Sequence, residues 1–85
     1  MSYCVYVLLS KQPKTPVTYV GYTNNIKKRL LLHNTSKGAK FTKGKKWILI
    51  YKKNFKTKSL ALKNEYKLKN DRKKRLLIKK NYLNK

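Results

Sequence analysis

The chain has 85 residues, enough for one small domain spanning 1–85 but with little spare stability, because a fold near this size buries only about 60–65% of the surface its unfolded chain exposes. Its 24 Lys and Arg face two acids, Glu65 and Asp71, for a formal net charge of +22, and self-repulsion on that scale disfavours a compact state unless a polyanion sits nearby, which makes nucleic acid the leading partner and an anionic membrane surface the second. The single cysteine, Cys4, and single histidine, His33, exclude a disulfide framework or a structural zinc site within one chain; with no signal peptide at Met1 and no apolar run near ~20 residues, the expected setting is intracellular, in cytoplasm, nucleoid or nucleus.

Tyr3 to Leu9 is rich in β-branched and aromatic residues without helical periodicity and reads as a buried strand. Lys11 to Pro16 holds both prolines and is a polar connection. Thr18 to Tyr22 is a second such strand, so the pair reads as a hairpin, and Gly21 inside it signals a bulge or a close backbone approach. Thr23 or Asn24 can N-cap a helix from about Asn25 to His33. Ile26, Leu30 and His33 share one face of that helix, with Arg29 beside them.

Thr35 to Lys46 is a loop with Gly38, Gly44 and the lysines 37, 40, 43, 45 and 46. Trp47 to Tyr51 is an almost continuous apolar strand. Thr57 or Ser59 opens a helix to about Lys69 that is expected to bury Ala61, Leu62, Tyr66 and Leu68. Asn70 or Asp71 breaks or recaps the chain before a last helix carrying Leu76, Leu77, Ile78 and Tyr82. The ββαβαα order describes an α+β domain, a three-stranded antiparallel sheet flanked by helices.

Groups able to carry chemistry are few. One His and two distant acids cannot build a Ser-His-Asp triad. Gly38 to Lys46 looks like a phosphate-binding loop, yet five residues separate its glycines where that motif has four, and Lys46 stands where a metal-binding Ser or Thr is needed. A nucleotide triphosphatase is therefore rejected. The Asn34-Thr35-Ser36 acceptor sequence is idle in an intracellular protein. What remains is the set Tyr6, Tyr19, Arg29, His33 and Glu65.

That set carries a resemblance. Cys4-Val5-Tyr6 in the first strand and Tyr19-Val20-Gly21 in the second are similar to the two tripeptides that give the GIY-YIG nuclease family its name. The stretch from Tyr19 to Leu30, ending in Arg29-Leu30, resembles the family's strand-to-helix passage, and His33-Asn34 follows at the family's spacing. Gly38-Ala39-Lys40-Phe41-Thr42-Lys43-Gly44 resembles the loop of the short stand-alone members, and Ala61-Leu62-Lys63-Asn64-Glu65 the helix that bears the metal-binding Glu. The match runs from about Tyr3 to Leu77. Cys4 replaces the first Gly, a structural position; the Asn that many relatives carry after the Glu helix has three candidates, Asn70, Asn81 and Asn84.

The resemblance implies a metal-dependent endonuclease hydrolysing DNA, leaving a 5′-phosphate and a 3′-hydroxyl, with Tyr6, Tyr19, Arg29, His33 and Glu65 in the catalytic site. The chemistry of these groups agrees. Tyr6 can take a proton from water, although a free phenol has a pKa of ~10, and a site made positive by Arg29 and a metal is expected to lower it. Arg29 can fork two donors onto phosphate oxygens. His33 can hydrogen-bond the phosphate, the water or Tyr19. Glu65 would hold Mg²⁺ or Mn²⁺, which readily complete their shells with water and phosphate oxygens.

The plain readings differ. Tyr6 and Tyr19 can be ordinary sheet residues, His33 a partly buried helix residue, and Glu65 an i,i+4 partner of Lys69 worth ~0.3–0.5 kcal/mol. Asp71 is explained as a helix cap. Lys37, Lys40, Lys43, Lys45 and Lys46 read as a backbone-gripping loop for DNA, branched and flapped forms included. No separate module for sequence specificity is expected, so selectivity is expected to fall to substrate shape or to a protein partner. The alternatives are a catalytically inactive basic DNA/RNA-binding module of the same fold and, for the Arg72 to Lys80 helix, a membrane surface, which the globular remainder disfavours.

Overall fold

The computed structural model describes residues 2–11, 16–35, 37 and 40–84. Three strands, β1 (Tyr3–Ser10), β2 (Val17–Thr23) and β3 (Ile48–Phe55), form an antiparallel sheet in the order β2-β1-β3. Three helices accompany it: α1 (Ile26–Asn34), α2 (Lys58–Asn70) and α3 (Arg72–Leu83). The ββαβαα order and α+β class are those expected. Most of the Lys11–Pro16 connection lies outside the described residues, as do Ser36, Gly38 and Ala39.

β1 is the central strand, and every residue from Cys4 to Ser10 is buried. Its apolar run therefore has no polar alternation, as a strand covered on both faces requires. On one face Val5 and Val7 join Val20, Ala61 and Leu68 under α2, with Ile78 of α3 at the margin. On the other, Cys4, Tyr6 and Leu8 pack with Trp47, Tyr19 and the Ile26 and Leu30 side chains of α1. Full burial of each such side chain contributes about 1.5–3 kcal/mol, far more than any surface pairing this chain can make.

Several local expectations are corrected. Asn25 is the N-cap of α1, its Oδ1 accepting from Lys28 N at 3.2 Å, while Thr23 Oγ1 accepts from Asn25 N at 3.1 Å one step earlier. β3 begins after Trp47 and continues through Lys52, Lys53 and Asn54 to Phe55. It is an edge strand, where charged residues are tolerated and useful, so polarity there does not mark a loop. The register slips between Val7 and Leu8, which pair with Tyr51 and Leu49; the bulge lies on β3 and not at Gly21.

In α2, capped by Thr57, Ala61 and Leu68 are buried, but Leu62 and Tyr66 are exposed. Ala61, Glu65 and Leu68 stand at i, i+4 and i+7 and form the stripe facing the sheet, whereas Leu62 and Tyr66 lie roughly a quarter turn away. Leu76 and Leu77 of α3 are likewise exposed. Asp71 ends α2 and caps α3, its Oδ1 accepting from Lys74 N at 3.0 Å. No helix of the described residues is long and apolar enough to cross a membrane.

Candidate active site

The alternation of β1 sends Tyr6 to the α1 face, opposite Gly21 of β2. The Tyr6 ring lies over that glycine so closely that a Cβ on residue 21 would meet Tyr6 Oη at 2.5 Å and Cζ at 2.6 Å. This is the close approach the glycine signalled, and it aims the phenol across β2. Gly21→Ala must therefore displace a ring that is 1% exposed. Overpacking of this kind costs about 1–3 kcal/mol, so the variant is expected to melt lower and to lose whatever function depends on the phenol's position.

His33 arrives from α1, where it completes the Ile26, Leu30, His33 face. It is fully buried, with both ring nitrogens engaged. Nε2 lies 2.9 Å from Tyr6 Oη and Nδ1 lies 2.8 Å from Thr42 Oγ1. The imidazole thus bridges a phenol and a threonine, and its Tyr19 contact is ring to ring, with centroids 5.0 Å apart. In the tautomer with the proton on Nδ1, His33 donates to Thr42 and accepts from Tyr6.

Burial raises the Tyr6 pKa from 10.0 to about 12. A hydrogen bond from Arg29 and the Arg29 charge oppose this, while Tyr19 and Glu65 add to it. Arg29 acts in the direction expected of it, but loss of solvent outweighs it. Burial first, and the Arg29 charge second, also hold His33 below its usual 6.5. At neutral pH this protein therefore has a neutral phenol hydrogen-bonded to a neutral imidazole.

Burial of a neutral His33 fixes a sign for stability. Its folded pKa lies below the unfolded value, so its contribution is complete above pH ~6.5 and is lost as pH falls from there through the folded pKa. With only two acids in the chain, few other groups titrate in that range. The melting temperature is expected to stay level above neutrality and to fall on acidification. His33→Asn should flatten that fall; an unchanged acid slope in the variant would assign it elsewhere.

Arg29 is half-buried, and its Nε is enclosed without a protein hydrogen-bond partner. A buried guanidinium donor left unpaired carries a desolvation cost that an incoming anion removes. Beside it runs an open groove lined by Tyr3, Tyr22, Thr23, Asn24 and Lys58. Glu65 approaches from α2 closely enough for its charge to act on Tyr6. Its side chain is only 15% exposed, and Oε1 lies 3.6 Å from Lys69 Nζ, so the plain pairing exists as well. Of the three candidate asparagines, Asn70 bonds its own helix at Tyr66 O.

The basic loop is tied to this group by Thr42, which sequence reading missed. Thr42 is fully buried; beyond its contact with His33, its carbonyl accepts from Trp47 Nε1 at 2.9 Å. Asn34 exchanges two bonds with the Trp47 backbone, at 2.6 and 3.2 Å, closing the loop's far end. Lys37, Lys40, Lys43 and Lys46 are exposed and Lys45 is partly covered. Tyr6, Tyr19, Arg29, His33 and Glu65 are thus brought to one region, with the lysine-rich loop beside it.

A sheet with this order, whose central tyrosine is bonded to a buried histidine and lies within the charge of an arginine and a helix-borne glutamate, defines a class that comparison identifies. The GIY-YIG catalytic domain matches residues 2–81, and the chain belongs to the GIY-YIG family. It is similar to a UPF0213 protein of Bacillus velezensis, 41% identical over 69 residues that cover 80% of this chain and 67% of the relative. A UPF0213 protein of Oceanobacillus iheyensis is 48% identical over 52 residues, 60% of each chain. The chain spans about 60% of the length of the first curated relatives it matches. Among solved structures, the solution NMR structure of a UPF0213 protein from Bacillus halodurans aligns with a TM-score of 0.53 and 34% identity, over 93% of this chain and 84% of that one.

Proposed function

We propose that residues 1–85 act as a single nuclease domain, a metal-dependent endonuclease that hydrolyses DNA phosphodiester bonds and is directed by substrate shape or a partner rather than by base sequence. The observation that carries this reading is the buried hydrogen bond between Tyr6 and a neutral imidazole, with Arg29 bonded to the same phenol and Glu65 acting on it from α2 by charge. Arg29, whose guanidinium already reaches the phenol, turns its remaining donors to the phosphate oxygens. The exposed lysines of the loop hold neighbouring phosphates without reading bases.

Tyr6 then works as a relay. It takes a proton from the attacking water while passing its own to His33 Nε2, and Thr42 keeps the imidazole turned for that transfer. The water oxygen forms the new bond to phosphorus as the bond to the 3′ oxygen breaks, and the departing 3′ oxygen takes a proton from solvent, which gives the 5′-phosphate and 3′-hydroxyl the family resemblance implies. A neutral relay does not need the low phenol pKa that a resident phenolate base would need.

The donor set suits a cation that brings most of its own shell. No three His, Cys, Asp or Glu side chains cluster among the described residues, so an all-protein cage does not fit, whereas one partly reachable carboxylate, Glu65, suits Mg²⁺ or Mn²⁺. Such an ion supplies charge stabilisation at the phosphate and a more acidic water. A cation held by Glu65 would also offset one of the influences that hold the Tyr6 proton on.

A second reading, a binding module without turnover, draws on the 1% exposure of Tyr6. The two separate on labelled duplex, flap, junction and single-stranded DNA incubated with Mg²⁺, Mn²⁺ or EDTA, with Glu65→Ala prepared in parallel to expose a contaminating nuclease. Cutting that needs metal and disappears in the variant supports the enzyme. Binding without cutting on every substrate supports the module.

A further inference from the structure

Phe41 is an aromatic ring presented to solvent in the middle of the basic loop. It is 53% exposed, and an isolated exposed phenylalanine means little. This one is not isolated. It is stacked on Tyr19, with centroids 6.2 Å apart and planes 19° from parallel, and it touches the buried Trp47 at 6.2 Å. Tyr19 in turn lies 5.0 Å from His33 and 6.5 Å from Tyr6. Its neighbour Thr42 is fixed to His33, so the ring sits on a braced segment. One continuous row of rings thus leads from the candidate site to the surface, and it ends beside Lys45, with Lys40 and Lys43 on the same loop.

We propose that Phe41 is a stacking platform for an unpaired nucleobase, so that the substrate carries single-stranded DNA next to the bond that is cut. The proposal rests on the nuclease reading and supplies its substrate class. Lys45 Nζ now lies 5.2 Å from the Phe41 centroid. A base stacked on an aromatic side chain outweighs an exposed cation–π contact. The base displaces the ammonium, which is then at hand for the same nucleotide's phosphate. A base in intact duplex must first be unstacked at a cost of a few kcal/mol, which cancels the gain. The ring therefore favours unpaired over paired DNA, a preference that lysines alone cannot create.

The test is done in EDTA, so that binding is read without cleavage. Full-length protein is titrated into a single-stranded oligonucleotide, a flap and a matched duplex. Each carries 2-aminopurine, whose emission is quenched on stacking; the flap carries it in the unpaired arm. The expected result is tighter binding and quenching on the two probes with unpaired bases. Phe41→Leu should lose about 5–150-fold on those probes, the range that 1–3 kcal/mol of stacking implies, with duplex affinity unchanged. Phe41→Trp should restore both affinity and quenching, which separates loss of stacking from loss of folding. Equal losses on all three probes, no loss on any, or no quenching by the native protein each overturns the proposal. Failure of the nuclease reading is seen separately, as absence of metal-dependent cutting by a protein that still shows this binding pattern.

Discussion

Glu65→Gln is expected to abolish metal-dependent cleavage while metal-free DNA binding holds or tightens. The reasoning starts from the helix. Ala61, Glu65 and Leu68 share the stripe of α2 that faces the sheet, and Ala61 and Leu68 are 0% and 5% exposed. A charged side chain in such a stripe is disfavoured unless something compensates it. Lys69 compensates little: the pair is at 3.6 Å with the lysine side chain half exposed, and pairs of this kind are worth ~0.3–0.5 kcal/mol. If that pair were the whole role of Glu65, the variant would melt about 1–4 °C lower and cut normally. As the metal-holding carboxylate, its loss should exceed the ~10²–10³-fold that removing one stabilising donor costs. Glutamine also removes a negative charge near the bound phosphate, so affinity without metal should not fall. The same change removes one cause of the high Tyr6 pKa. A variant with an easier phenol and no activity would show that tuning Tyr6 is not what Glu65 is for. Retained Mg²⁺-dependent cutting would sink the assignment.

The sheet was legible because its signals are local: the unbroken apolar run of β1, the hairpin partner, and Gly21 where a ring crosses the backbone. Asp71 was legible as a cap for the same reason. What the sequence hid was either edge or partner. The third strand was expected to stop at Tyr51, yet an edge strand accepts Lys52 to Asn54, and Leu62 and Tyr66 look like core although the stripe turns past them. The site residues could be ordered along the chain, but their contacts could not. His33 was expected to reach a phosphate, a water or Tyr19; folding instead seals it between Tyr6 and Thr42. Nothing marks Thr42 among its flanking lysines, because its role depends on a histidine nine residues away on another element. The burial that raises the Tyr6 pKa without metal was hidden for a related reason. Charge can be counted in a sequence, and the desolvation that outweighs it cannot.

Tyr6→Phe is expected to lower turnover by ~10²–10⁴-fold, the usual worth of a positioned acid or base, with DNA affinity nearly unchanged because Arg29 and the lysines remain. The ring still packs over Gly21, but His33 Nε2 loses its 2.9 Å partner. An unsatisfied buried group costs about 1–3 kcal/mol, so the variant should also melt lower, by about 4–8 °C for each kcal/mol. Rates must therefore be compared well below the variant's melting temperature, where both proteins are folded. Loss of the relay and loss of structure are then told apart by His33→Gln and the double variant. If Tyr6 and His33 pass one proton between them, each single change removes the same step, and the pair together should cost little more than either alone. The wild-type rate should hold above pH ~6.5 and decline only in acid, where protonation of His33 removes the acceptor, since burial keeps its folded pKa low. The decline should vanish from the residual activity of His33→Gln. Near-normal cleavage by folded Tyr6→Phe would return the tyrosine to the core and leave the water's proton to another group.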